Sequence, residues 1–82
     1  MMFRCLFCRH STMPKFAQGW DWFTGYFDRT VYVCPFCQKV HAREVSELFL
    51  CAQAKPPLGK TNSLDMVLME VKARHDEREG SP

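Results

Sequence analysis

Two Cys-x-x-Cys pairs, Cys5-Leu6-Phe7-Cys8 and Cys34-Pro35-Phe36-Cys37, stand 25 residues apart in the first half of the chain. A step of this kind lets the backbone curl until both sulfurs point at one centre. Two such steps supply four soft ligands, the set that Zn²⁺ takes at the corners of a tetrahedron with Zn–S distances near ~2.3 Å. Backbone N–H groups following the first cysteine of each pair turn toward the sulfurs and offset part of their charge. Pro35 fixes φ and pre-forms the second pair, whereas Leu6 and Phe7 cover the first with apolar surface. The pattern predicts one structural Zn²⁺ held by Cys5, Cys8, Cys34 and Cys37. Two disulfides would require an oxidising compartment. A redox dithiol of the thioredoxin type would require a βαβ framework that this chain is too short to build. Reduced cysteines simply packed in a core are the plainest alternative. Four thiolates leave no open coordination position, which argues against a catalytic metal.

Over residues 3–41 the motifs resemble those of the zinc-ribbon group, in which two knuckles face each other across a small antiparallel sheet. The resemblance implies Cys5, Cys8, Cys34 and Cys37 as the ligands, and it is shared by proteins of many unrelated functions, nucleic-acid binding among them. Glycine often follows the knuckle cysteines in that group. Here Arg9 and Gln38 hold those places, and each is expected to take a tight turn at some cost. His10 and His41, close behind the knuckles, are alternative ligands.

Eighty-two residues make one domain, at a size where an apolar core alone gives little margin. A metal answers that shortage, since its binding free energy becomes folding free energy. The aromatic share of 13 % points to a globular chain. No stretch approaches the ~20 apolar residues of a membrane span, and the first residues lack the pattern of a secretory signal. A cytoplasmic protein is therefore expected. Four thiolates and a dication together remove two charges, taking the formal +2 to about neutral. Residues 1–60 carry eight Lys/Arg against four Asp/Glu, and residues 61–82 three against five. The basic residues are spread out, unlike the stripe of a dedicated nucleic-acid binder.

The expected architecture is α+β: a small zinc ribbon over residues 1–41, a helix over 42–55, a linker over 56–62, a second helix over 63–78 and a disordered tail over 79–82. The aromatic run from Trp20 to Val33 has β character, with Thr24-Gly25 and Asp28-Arg29 as alternative reversals. Val45, Leu48, Phe49 and Ala52 form one apolar stripe on the first helix, and Cys51 lies beside it as a small buried hydrophobe. Lys55-Pro56-Pro57 ends that helix, and Asn62 or Ser63 is suited to cap the next. The second helix carries two stripes: Leu64, Val67, Leu68 and Val71, continued by His75, and, on the other side, Met66, Met69 and Ala73. Glu70–Arg74 is an expected i,i+4 pair.

Phosphate loops, nucleophile elbows, His-Glu-x-x-His and helix-turn-helix or Cys₂His₂ spacings do not occur in the sequence. The expected function is a non-enzymatic interaction module, an adaptor or small regulator. It would dock a protein through exposed aromatics, Trp22 or Tyr26 first, and the Met66/Met69/Ala73 face, which could also meet a second copy of the chain. The other reading is a nucleic-acid-binding ribbon with Arg4, Arg9, Lys15, Arg29, Lys39 and Arg43 as phosphate contacts.

Overall fold

Pairing of β1 (Phe3–Arg4) with β2 (Ser11–Thr12) closes a short antiparallel hairpin, Phe3 opposite Thr12 and Arg4 opposite Ser11, with the first cysteine pair in its turn. A computed structural model describes residues 2–79 of the chain, with side chains described through His75 in the last helix. A single 3₁₀ turn, Pro14–Phe16, leads to β3 (Asp21–Phe23), which pairs antiparallel with β4 (Val31–Val33). The architecture is α+β, its pairing divided between two two-stranded sheets. Three helices follow: α1 (Pro35–Val40), α2 (Ala42–Gln53) and α3 (Leu64–Glu79). Glu79 is thus still helical, and residues 80–82 of the expected tail lie outside the described residues.

The short helix α1 was not expected, and its cause is local. Cys34 takes an extended conformation and its sulfur accepts from the Cys37 N–H at 3.4 Å, so it acts as an N-cap, and Pro35 fills the first helical position, where its missing N–H costs nothing. Gln38 therefore sits in a helix and makes no tight turn. Its side-chain amide instead donates to the carbonyls of Gly19 (2.7 Å) and Val33 (3.0 Å), tying α1 to the ends of β3 and β4.

The β3–β4 connection uses both candidate reversals in one seven-residue loop, Thr24–Thr30. The Thr24 and Thr30 hydroxyls bond each other across its neck at 2.9 Å. Its tip lies against the end of α2, where the Tyr26 N–H donates to the Ala52 carbonyl at 2.8 Å. Asn62 then holds loop and helix together. Its backbone exchanges hydrogen bonds with Tyr26 and Asp28, while its side-chain amide donates to the carbonyls of Ala54 (2.9 Å) and Cys51 (3.3 Å). Asn62 thus closes the C-terminus of α2 and does not cap α3. That role falls to Ser63, whose hydroxyl accepts from the Met66 N–H, and to Asp28 of the loop, whose carboxylate accepts from the Leu64 N–H. Helix ends leave such groups unsatisfied unless something reaches them.

Phe23, Val31 and Val33 of the second sheet and Phe27 of its connecting loop pack with Leu48 and Ala52 of α2 and with Leu64 and Val71 of α3. Cys5, Cys34 and Cys37 belong to the same buried cluster. The α2 stripe and the Leu64/Val67/Leu68/Val71 stripe of α3 face this core, except that Phe49 is half-exposed and meets Phe23 edge-on at 5.4 Å, while the Met66/Met69/Ala73 stripe faces away. Between α2 and α3, the buried His75 sits 3.2 Å from a Glu47 oxygen and 3.8 Å from a Glu44 oxygen. Arg74 also turns to Glu47, at 3.7 Å, and so leaves its expected partner Glu70 for one on the neighbouring helix.

Candidate metal centre

The four knuckle sulfurs come together at the junction of the first hairpin, the end of β4 and the start of α1. All lie within 4.8 Å of one another, and Cys8 Sγ and Cys34 Sγ are 3.7 Å apart. A tetrahedron with Zn–S bonds of ~2.3 Å has edges of about 3.8 Å, so the donor set fits a zinc-type ion. Cys5, Cys34 and Cys37 are buried, and Cys8 closes the solvent side. The Cys34 N–H points to Cys5 Sγ at 3.5 Å and the Cys37 N–H to Cys34 Sγ at 3.4 Å, the backbone arrangement that steadies thiolates.

Electrostatics of the cluster make a cation welcome. Burial acts to raise the Cys5 pKa, but N–H groups of Cys34, Cys8 and Phe7 outweigh it and bring the value down to about 6. Burial, then the crowding sulfurs of Cys34, Cys5 and Cys8, pushes Cys37 far above the ordinary thiol range. At Cys8 a hydrogen bond from the His10 backbone works downward, yet burial and the sulfurs of Cys5 and Cys34 leave it raised. Cys5 ionises readily, while Cys8 and Cys37 resist. Without a positive charge between them, four like charges at this distance repel strongly.

Neither histidine joins the sulfurs. His41 stacks on Phe7 at 4.6 Å and lies 3.4 Å from Glu44 at the start of α2. His10 leans against Trp20. Cys51 is half-buried against the core and away from the cluster. Arg9 does take the costly turn expected of it. Its φ is 66°, a conformation that costs a residue bearing a Cβ about 1–2 kcal/mol, while its N–H donates to the Cys5 carbonyl at 3.0 Å to complete the knuckle.

The remaining candidate residues divide into separate groups. On α3, Met66, Met69 and Ala73 are exposed, opposite the buried Leu64, Val71 and His75. Trp22 is 62 % exposed and Tyr26 44 %. Arg4, Arg9 and Arg29 line one cavity of about 220 Å³, together with Thr30, Tyr32 and Asp65. Lys15, Lys39 and Arg43 do not take part in that cavity; Lys15 lies over the Phe16 ring and the other two sit exposed on α1 and α2. The convergence of the three arginines escaped sequence reasoning, because residues 4, 9 and 29 share no periodicity. The one available signal was Arg9 standing where a glycine suits the backbone.

Set against known protein families, curated proteins and solved structures, the chain matches none. Among the described residues, no helix is long and apolar enough to cross a membrane.

Proposed function

We propose that this chain is a non-enzymatic module, built around one structural Zn²⁺, that docks a protein partner through the outer face of α3. The observation that carries this reading is the exposure of Met66 (66 %) and Met69 (71 %) on a helix whose other side already fills the core. A helix packed only within its own fold needs one apolar stripe, and α3 has two. Methionine adapts its shape to varied apolar surfaces. Trp22 offers the large ring typical of residues that dominate interface energetics. The metal serves architecture: four thiolates complete the coordination sphere and leave no place for a substrate. Free thiolates of this kind suit a reducing compartment, and the role that follows is that of an adaptor or small regulator.

The test is the double variant Met66→Asp/Met69→Asp, made in the metal-loaded chain. Its far-ultraviolet circular dichroism and metal content should match those of the parent, and it should lose proteins that the parent captures and that cross-link to α3. Sedimentation of the purified parent tells a second copy of the chain from a different partner. A folded double variant that keeps every cross-linked partner would sink the docking surface.

A further inference from the structure

We propose that the cavity walled by the first knuckle, β4 and the start of α3 binds the phosphate of a nucleotide unit, with the base stacked on the adjoining aromatic face. Arg4, Arg9 and Arg29 all line this one space, and Asp65 is the single acidic residue among the described residues that line it. Guanidinium forks match phosphate oxygens in geometry as well as charge. At about 220 Å³ the cavity falls below the ~300 Å³ at which sites for whole small molecules begin. That is room for a phosphoryl group and part of a sugar.

The state of each arginine supports the assignment. Arg29 pairs with Asp65, but both side chains are largely exposed, so the pair is weak and exchangeable. Arg4 is held by the Ser11 hydroxyl at 3.2 Å, a neutral partner, and among the described residues no carboxylate pairs with it. Arg9 occupies a left-handed backbone position that glycine would fill without strain. A side chain retained there against its backbone preference is the kind of outlier that marks a working position.

A nucleotide is favoured over other phosphates by what lies beside the cavity. Tyr32, in its wall, stacks on Phe3 with ring centroids 4.5 Å apart and pairs across the strands with the exposed Trp22. Stacking on such rings is how single strands are held without reading their sequence. A phosphopeptide has no use for that platform. The site goes beyond the docking surface proposed above and uses different residues.

The experiment titrates a labelled single-stranded oligonucleotide of about ten nucleotides into the metal-loaded chain, following anisotropy at several salt concentrations. Nucleoside monophosphate, inorganic phosphate and a phosphopeptide serve as competitors. Binding is expected to weaken with salt at a log–log slope near −0.7, as one neutralised phosphate on a single strand requires. Arg9→Gly is the decisive variant, since it relieves the backbone and so keeps the fold; it should bind about tenfold more weakly while melting no lower than the parent. Asp65→Asn should bind a few-fold more tightly, and Lys39→Ala and Arg43→Ala should change affinity by less than about twofold. Full competition by the mononucleotide identifies a free nucleotide as ligand, and preference for the oligonucleotide identifies a strand; either result supports the site. An absence of binding at low salt, an unchanged affinity in Arg9→Gly, or equal competition by the phosphopeptide or inorganic phosphate overturns it. The double variant Met66→Asp/Met69→Asp should bind nucleotide normally, which keeps failure of the two proposals distinguishable.

Discussion

Gly25 sits where the tip of the β3–β4 loop crosses the end of α2. Its φ is +53°, and a Cβ there would lie 2.2 Å from the Ala52 carbonyl oxygen, an atom fixed by the helix and by its bond to the Tyr26 N–H. Neither the backbone nor the neighbour can yield cheaply. Gly25→Ala is expected to destabilise the fold by about 1–3 kcal/mol, read as a lowered denaturant midpoint with the metal still bound. Thr24-Gly25 stands out in the sequence as turn-forming, but the close approach to Ala52 is not written there. Arg9 shows the converse: its strain was foreseeable from its place after the knuckle, whereas the cavity on which its side chain borders required Arg4 and Arg29 to be brought to it.

At the level of elements, the sequence disclosed where α2 and α3 lie and which sides face inward, because apolar residues at helical spacing have little choice about burial. It did not disclose how the ends are closed. Asn62 reads as an N-cap by residue type and position, yet its amide turns back to the last carbonyls of α2 because the loop after Pro57 brings it there. Asn62→Ala removes the two side-chain hydrogen bonds that close α2 and keeps the backbone bonds to Tyr26 and Asp28. We expect a loss of about 1–3 kcal/mol, with faster amide exchange in α2's final turn and at Tyr26. Such a change confined to the first turn of α3 would show that Asn62 serves that helix instead. The helix α1 teaches a related lesson. Its capping signal, Cys34 followed by proline, was present, but a metal-knuckle reading and a helix-start reading explain the same residues; Cys34 both caps α1 and stands among the four clustered sulfurs.

On the scale of the whole molecule, Cys5, Cys34 and Cys37 share a buried cluster with Val31, Leu48, Leu64 and Val71, so an ion held by these sulfurs would form one cooperative unit with the core. Chelation is expected to unfold the helices along with the hairpins, and Cys34→Ser to do the same, seen as loss of near- and far-ultraviolet dichroism in a single transition. Protons compete for the same sulfurs. In the metal-free fold Cys5, at about 6 against an ordinary 9, adds stability that is present above pH 9 and lost as pH falls through 6. Cys37 is raised, so its contribution is present below pH 9 and is lost as pH rises beyond it. At pH 7 Cys5 is then largely ionised while Cys8 and Cys37 hold their protons. Loading the metal should release at least two protons, and acid should unload it. Calorimetry in buffers of differing ionisation enthalpy counts those protons; a count near zero would mean the thiols are not the ligands.

The sequence by itself determined the grouping of the four cysteines and the inward faces of α2 and α3, since cysteine spacing and apolar periodicity act over a few residues of chain. Tertiary structure decided what depends on residues far apart: the meeting of Arg4, Arg9 and Arg29, the turn of Asn62 toward α2, and the enclosure of His75 between Glu44 and Glu47. Local preferences fix which way a side chain faces along its own element. Only the packing of one element against another fixes what it meets.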